Sequence, residues 1–163
     1  MPLTVGMVAP EFVGYAGDGQ AVTLSEGLSP WTLLVFWKPG CQASRVALGI
    51  LEEWHRAYGS HLQVIGVAQE TRRGEGQEVA REAGATFPIV DDAPDYPISW
   101  VYDPAITPTV FFIEPERRTI VQRCEGFERA SYAALLDAIV RSLGRVIPAA
   151  GLQSDTIPDH VPG

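Results

Sequence analysis

Leu33-Leu34-Val35-Phe36-Trp37-Lys38-Pro39-Gly40-Cys41-Gln42-Ala43-Ser44 is the stretch from which this chain is best read. An unbroken apolar run with β-branched content, residues 32–36, ends in a tryptophan and a Pro-Gly turn. Such a run suits a strand covered on both faces, as in a parallel sheet. Residues 42–58 continue with helical spacing: Ala47, Ile50, Leu51, Trp54 and Tyr58 share one stripe, and Gly59 supplies a stop. Cys41 therefore stands at a strand-to-helix junction. A helix N-terminus carries unpaired N–H groups and partial positive charge, and both favour thiolate over thiol. Cysteines placed this way titrate below the free value of about 8.5. Lys38 adds positive charge nearby, and an exposed Pro-Gly turn argues against an inert buried cysteine. Three residues on, where a dithiol would carry its second sulfur, stands Ser44.

Working outward, residues 62–68 read as a second buried strand, completing a βαβ unit of right-handed sense. Residues 75–83 read as a short helix closed by Gly84, and residues 87–90 as a short extended piece. Residues 91–103 are acidic and Pro-containing, a loop with one helical turn at 99–102. Two more strands follow at 109–113 and 119–124. The polar link between them is so short that only an antiparallel hairpin fits. Tyr132, Leu135, Leu136, Ile139, Val140 and Leu143 mark the last helix, which Gly144 ends. Upstream, residues 12–15 and 21–24 flank Gly17-Asp18-Gly19 and read as a hairpin at the edge of the domain, with residues 25–30 a loop. The order predicts an α/β protein: a parallel βαβ leading into an antiparallel ββα, a three-layer α/β/α sandwich around a central mixed sheet with an N-terminal β-hairpin. Residues 1–147 form the domain. Residues 148–163, with three prolines and few apolar anchors, read as a C-terminal tail. Gly49 costs its helix about 1 kcal/mol relative to Ala, for no reason the sequence supplies.

The 163 residues suffice for one sizeable core. A net charge of −8 argues against nucleic acid or an anionic membrane as partner, since both need a basic face. No apolar run approaches the roughly 18 residues that span a bilayer. Residues 1–10 lack the basic and apolar regions of a secretory signal, which predicts a cytoplasmic protein; an exported protein without its leader would read the same way. Two cysteines, 41 and 124, make no disulfide scaffold, so thiol chemistry here is individual. His55, His61 and His160 have no metal-ligand spacing with each other or with the cysteines, so neither a metal nor another cofactor is expected. Asp91, Asp92 and Asp95 read as a solvated loop face.

The element order and the motif Phe36-Trp37-x-x-x-Cys41-x-x-Ser44 resemble the thioredoxin superfamily. More narrowly they resemble its redoxin branch, which holds the thiol–disulfide reductases of cytochrome maturation and the alkyl hydroperoxide reductase/thiol-specific antioxidant proteins. The resemblance runs over residues 5–143. Gly6-Met7-Val8-Ala9-Pro10-Glu11-Phe12 is similar to the family's opening, and Gly126-Phe127 to the end of its last strand. Ile106-Thr107-Pro108-Thr109 is similar to the loop whose proline is cis in the family and packs against the active-site cysteine. The resemblance implies that Cys41 is the nucleophile, that Pro108 is cis, and that Thr107 offers backbone groups to an extended substrate chain. Glu70 matches an acidic position of the cytochrome-maturation reductases and is a candidate local base; the alternative is a solvated loop glutamate. Trp37, Trp100 and Gly40 are candidates to line the groove beside Cys41, with core packing the favoured role for Trp37. Cys124, at the active-site end of its strand, is a candidate resolving thiol; otherwise it is a small buried hydrophobe.

Several positions depart from the family pattern. Ser44 replaces the second cysteine, Gly40 the usual tryptophan, and Val35 the buried acid of the thioredoxins proper. Lys38 and Leu34 stand where a peroxiredoxin carries Thr or Ser and an upstream Pro, and Arg45 where a copper chaperone needs its second cysteine. The expected function is a thiol-dependent oxidoreductase acting on protein or low-molecular-weight thiols and disulfides, or on peroxide, with Cys41 as its single nucleophile. An external thiol or Cys124 would resolve it. The alternatives are a redox-inactive thioredoxin-fold binding module and a one-cysteine peroxidase.

Overall fold

A computed structural model describes residues 2–24, 30–70, 72–145 and 157–163. The expected loop at 25–30, apart from Pro30, and most of the expected tail lie outside the described residues. A five-stranded sheet is ordered β5-β4-β3-β6-β7. Its strands are β3 (Trp31–Trp37), β4 (Leu62–Ala68), β5 (Ile89–Asp91), β6 (Thr109–Ile113) and β7 (Ile120–Glu125). β3, β4 and β5 run parallel; β6 runs antiparallel to both β3 and β7. The sheet is mixed and the fold α/β, as the element order predicts.

Strand alternation divides the core into two halves. Leu33, Val35 and Trp37 of β3 point to one face. There they meet α1 (Gln42–Tyr58), α2 (Glu75–Glu82) and α4 (Arg129–Leu143). Leu34 and Phe36 point to the other face, against Phe12, Val22, Leu24, Ile98 and Tyr102. That second layer is thin. The antiparallel hairpin of β1 (Val13–Tyr15) and β2 (Ala21–Thr23) and the short α3 (Pro97–Tyr102) form it. α3 begins two residues before the turn read from the sequence, because Pro97 takes the first helical position, where its missing N–H costs nothing. The stripe on α1 is buried as its spacing requires. Gly59, at φ 56°, closes it in a conformation that a side chain disfavours.

The last seven residues do not trail away. β9 (His160–Val161) pairs antiparallel with β8 (Phe127–Glu128), in the register Phe127 with Val161 and Glu128 with His160. Val161 is buried among the residues that α1 and α4 cover. Composition showed few anchors here, because Ile157 and Val161 among prolines and polar residues carry no periodicity.

Candidate active site around Cys41

The site forms where β3 runs out. Cys41 is the N-cap of α1, at φ −97° and ψ 119°. Its N–H donates to the Lys38 carbonyl at 3.1 Å, closing the turn, and its carbonyl accepts the first helical bond from Arg45 at 3.2 Å. The thiol is half-buried. It faces the Thr107 carbonyl at 3.6 Å, across a sequence separation of 66 residues.

The Thr107–Pro108 peptide is cis. Two hydrogen bonds hold the loop that carries it. The Thr109 hydroxyl donates to the Ile106 carbonyl at 2.7 Å, and the Gly126 N–H to the Pro108 carbonyl at 2.7 Å. β6 starts on the site side of the sheet because it runs antiparallel to β3, with Thr109 opposite Phe36.

Opposing forces act on the Cys41 thiol. Burial pushes its pKa up. The Ser44 hydroxyl and N–H, the Thr107 side chain and the Ala43 N–H act against that, and the net shift is downward. The thiol's contact with the Thr107 carbonyl favours the protonated form, so the thiolate is stabilised in spite of it. Ser44 is fully buried. Its oxygen accepts from the Lys38 N–H at 3.2 Å, which leaves the hydroxyl proton to the sulfur. Lys38 thus serves through its main chain, its side chain being exposed.

The other candidates fall into different places. Gly40 is exposed, with open space where a side chain would stand. Trp37 does not line the groove: it is 0% exposed and lies in the core beneath α1. The reason is strand alternation, which sends the odd positions of β3 beneath α1. Gly66 makes room for it, since a Cβ there would stand 3.1 Å from the indole nitrogen. Trp100 is 77% exposed on α3, which packs on the opposite face of the sheet.

Glu70 is 1% exposed, so it is not a solvated loop glutamate. Its carboxylate turns to the start of α2, accepting from the Gly76 N–H and from the Gly74 N–H at 3.3 Å. Burial and the neighbouring Asp91 carboxyl raise its pKa to about 7, against those two N–H groups. Glu70 is thereby committed to α2, and the groups that shift Cys41 are its own helix and the Thr107 loop.

Cys124 sits one residue inside the site end of β7, opposite Val110. It is 4% exposed, and its thiol faces the Ser131 carbonyl at 3.6 Å. Burial alone pushes its pKa up to about 12. As folded, it is a protonated thiol inside the core and a poor attacking group.

Sequence reasoning missed one neighbour of the site. Gly163 lies against the Thr107 carbonyl, and a Cβ built on it would stand 2.3 Å from that oxygen. Ile157 and Val161 are the apolar residues that anchor the segment, but two apolar residues four apart among prolines give no period from which this placement could be read. Among the described residues no group of acidic, histidine or cysteine side chains is arranged to hold a metal ion. No helix there is long and apolar enough to cross a membrane.

Known structures share this architecture. A candidate thiol:disulfide interchange protein DsbE from Chlorobium tepidum matches with TM-score 0.79 and 25% identity, over 87% of this chain and 99% of that one. The thioredoxin domain of a thiol-disulfide oxidoreductase from Bacteroides vulgatus gives 0.71 and 22%, over 85% and 99%. A thiol:disulfide interchange protein from Bacteroides sp. gives 0.72 and 21%, over 92% and 97%. No curated protein sequence matches the chain. The model of the AhpC/TSA family matches residues 5–122, a span that holds β1 to β6, the Cys41 turn and the Thr107–Pro108 loop, and the chain belongs to that family, with a thioredoxin-like redoxin fold.

Proposed function

We propose that this protein is a thiol–disulfide oxidoreductase that works with one sulfur. The observation that carries the reading is Cys41 itself: a half-buried thiol at the N-terminus of a long helix, its pKa lowered by Ser44 and Thr107. The Cys41 thiolate attacks one sulfur of a disulfide. A new S–S bond forms, the old one breaks, and the leaving sulfur takes the bonding pair and a proton from solvent. A second, external thiol then attacks the mixed disulfide and expels Cys41 as thiolate. The depressed pKa makes Cys41 a good leaving group in that second step. Ser44 cannot attack the mixed disulfide in place of the missing sulfur, and buried Cys124 is badly placed to do so, so the resolving thiol comes from outside. The likeness to thiol:disulfide interchange proteins supports protein or small-molecule disulfides as substrates.

Glutathione disulfide tests the reading. The expected product is Cys41 joined to glutathione, located by mass spectrometry and absent in Cys41→Ser, while Cys124→Ala still forms it. A Cys41 that titrates at or above about 8.5 and forms no mixed disulfide overturns it. Family membership also favours a second reading, in which Cys41 reduces a peroxide to an alcohol and becomes a sulfenic acid. Consumption of hydrogen peroxide with dithiothreitol as reductant, faster than for Cys41→Ser, would support that chemistry.

A further inference from the structure

We propose that residues 157–163 are a displaceable strap over the groove beside Cys41, which a partner chain must lift to bring its disulfide to the thiol. This rests on Cys41 being the reacting group. The strap begins at the start of α4. There the Arg129 N–H donates to the Asp159 carbonyl at 2.8 Å, its guanidinium meets the Asp159 carboxylate at 3.1 Å, and it also donates to the Ile157 carbonyl. The chain then pairs with β8 through His160 and Val161, and Val161 plugs into the core. It ends the described sequence in the angle between Gly126, Ile106 and Thr107.

That end point is what matters. The Thr107 carbonyl is the acceptor that faces the Cys41 thiol, and Gly163 presses on the same carbonyl. An extended chain that takes the Thr107 backbone as its partner needs the space that Gly163, held there by the pairing of 160–161 with β8, fills. The attachment is slight: a ladder of two residues, one buried valine, a half-buried Ile157 and one arginine clasp. Segments with so few buried contacts open locally without global unfolding.

The fit at the end is specific. A side chain at 163 would put Cβ 2.3 Å from the Thr107 oxygen and 3.3 Å from its carbon, both main-chain atoms that cannot swing aside. Only glycine closes the strap in this position. Gly163 is exposed, and thermal unfolding of Gly163→Val checks that the domain stays folded.

The test compares two alkylating probes on Cys41, with adducts located by mass spectrometry: iodoacetamide, which is small, and a maleimide carried on a short extended peptide. Alkylation needs a thiol and no disulfide exchange, so it reads the strap even if the redox reading fails. In Gly163→Val the peptide-borne maleimide is expected to react about tenfold faster, relative to iodoacetamide, than in the parent protein, because the peptide no longer competes with the strap for the groove. A variant ending at residue 156 should show the same gain, and a free peptide of residues 157–163 should reverse it. An unchanged ratio of the two rates in Gly163→Val overturns the proposal. So does a gain in the shortened variant that the free peptide leaves untouched, since that would reflect general loosening. Disulfide exchange on the same proteins is scored separately: its absence beside a changed alkylation ratio would sink the function and leave the strap.

Discussion

Replacing Ser44 by alanine isolates the group that most favours the Cys41 thiolate. The hydroxyl is fully buried, takes the Lys38 N–H at 3.2 Å, and directs its own proton to the sulfur. A hydrogen bond to a charged acceptor contributes about 1.5–3 kcal/mol. Cys41 is only half-buried, so the lower end applies. At 1.36 kcal/mol per pKa unit, losing about 1.5 kcal/mol raises the Cys41 pKa by about one unit. A weaker acid is a stronger nucleophile, with a Brønsted slope of about 0.4–0.5, so each thiolate attacks about threefold faster. The two effects give a profile that crosses. Exchange with glutathione disulfide should slow about threefold at a pH below both pKa values and quicken about threefold above both. The assay is the rate of mixed-disulfide formation against pH, with thermal unfolding as a check on folding. An inflection that moves by less than about 0.3 units in a folded Ser44→Ala protein refutes the assignment, and the helix end would then account for the shift by itself.

Ser44→Cys should form a reversible disulfide with Cys41, because position 44 already presents its side chain to the sulfur from the first turn of α1; loss of two of the three free thiols on mild oxidation, without dimerisation, checks this. Glu70 gives a pH-dependent stability. Its folded pKa, about 7, lies above its ordinary value of 4.5, so the folded state holds the extra proton in that window and loses stability as pH rises through it. The loss is about 2–3 kcal/mol, read as a lower melting temperature at pH 8 than at pH 5, and Glu70→Gln should flatten the difference. Gly76→Ala should destabilise by about 1–3 kcal/mol in urea titration, although alanine favours a helix, because a Cβ there meets Ala68 Cβ at 2.5 Å and the Glu70 carboxylate at 2.8 Å.

What the sequence disclosed is what leaves a periodic or chemical mark. The stripe on α1, the two buried strands around it and the short hairpin between β6 and β7 were all readable, because each encodes burial or chain length directly. The Cys41 turn and the Thr107–Pro108 loop were readable as motifs. Side-chain direction at strand ends was not. Trp37 was a groove candidate whose favoured role was core packing, and alternation does send it into the core, while Trp100, the other aromatic candidate, lies exposed on α3. Glu70 follows β4 as expected, but a helix start offering two N–H groups captures its carboxylate. The cis bond at Ala93–Pro94 and the pairing of Phe127–Glu128 with His160–Val161 left no trace, since one proline and two-residue strands have no period to detect.

The two thiols of this chain have a practical consequence. Each faces a main-chain carbonyl at 3.6 Å, yet Cys41 is shifted down and Cys124 up to about 12. The acceptors are alike. What differs is the ring of donors around one sulfur and the dry packing around the other. The molecule therefore carries an internal standard: a silent sulfhydryl that reports on global unfolding, beside a live one that reports on the site. A single electrophile applied to the wild-type chain can time both events, with no second mutation to separate them.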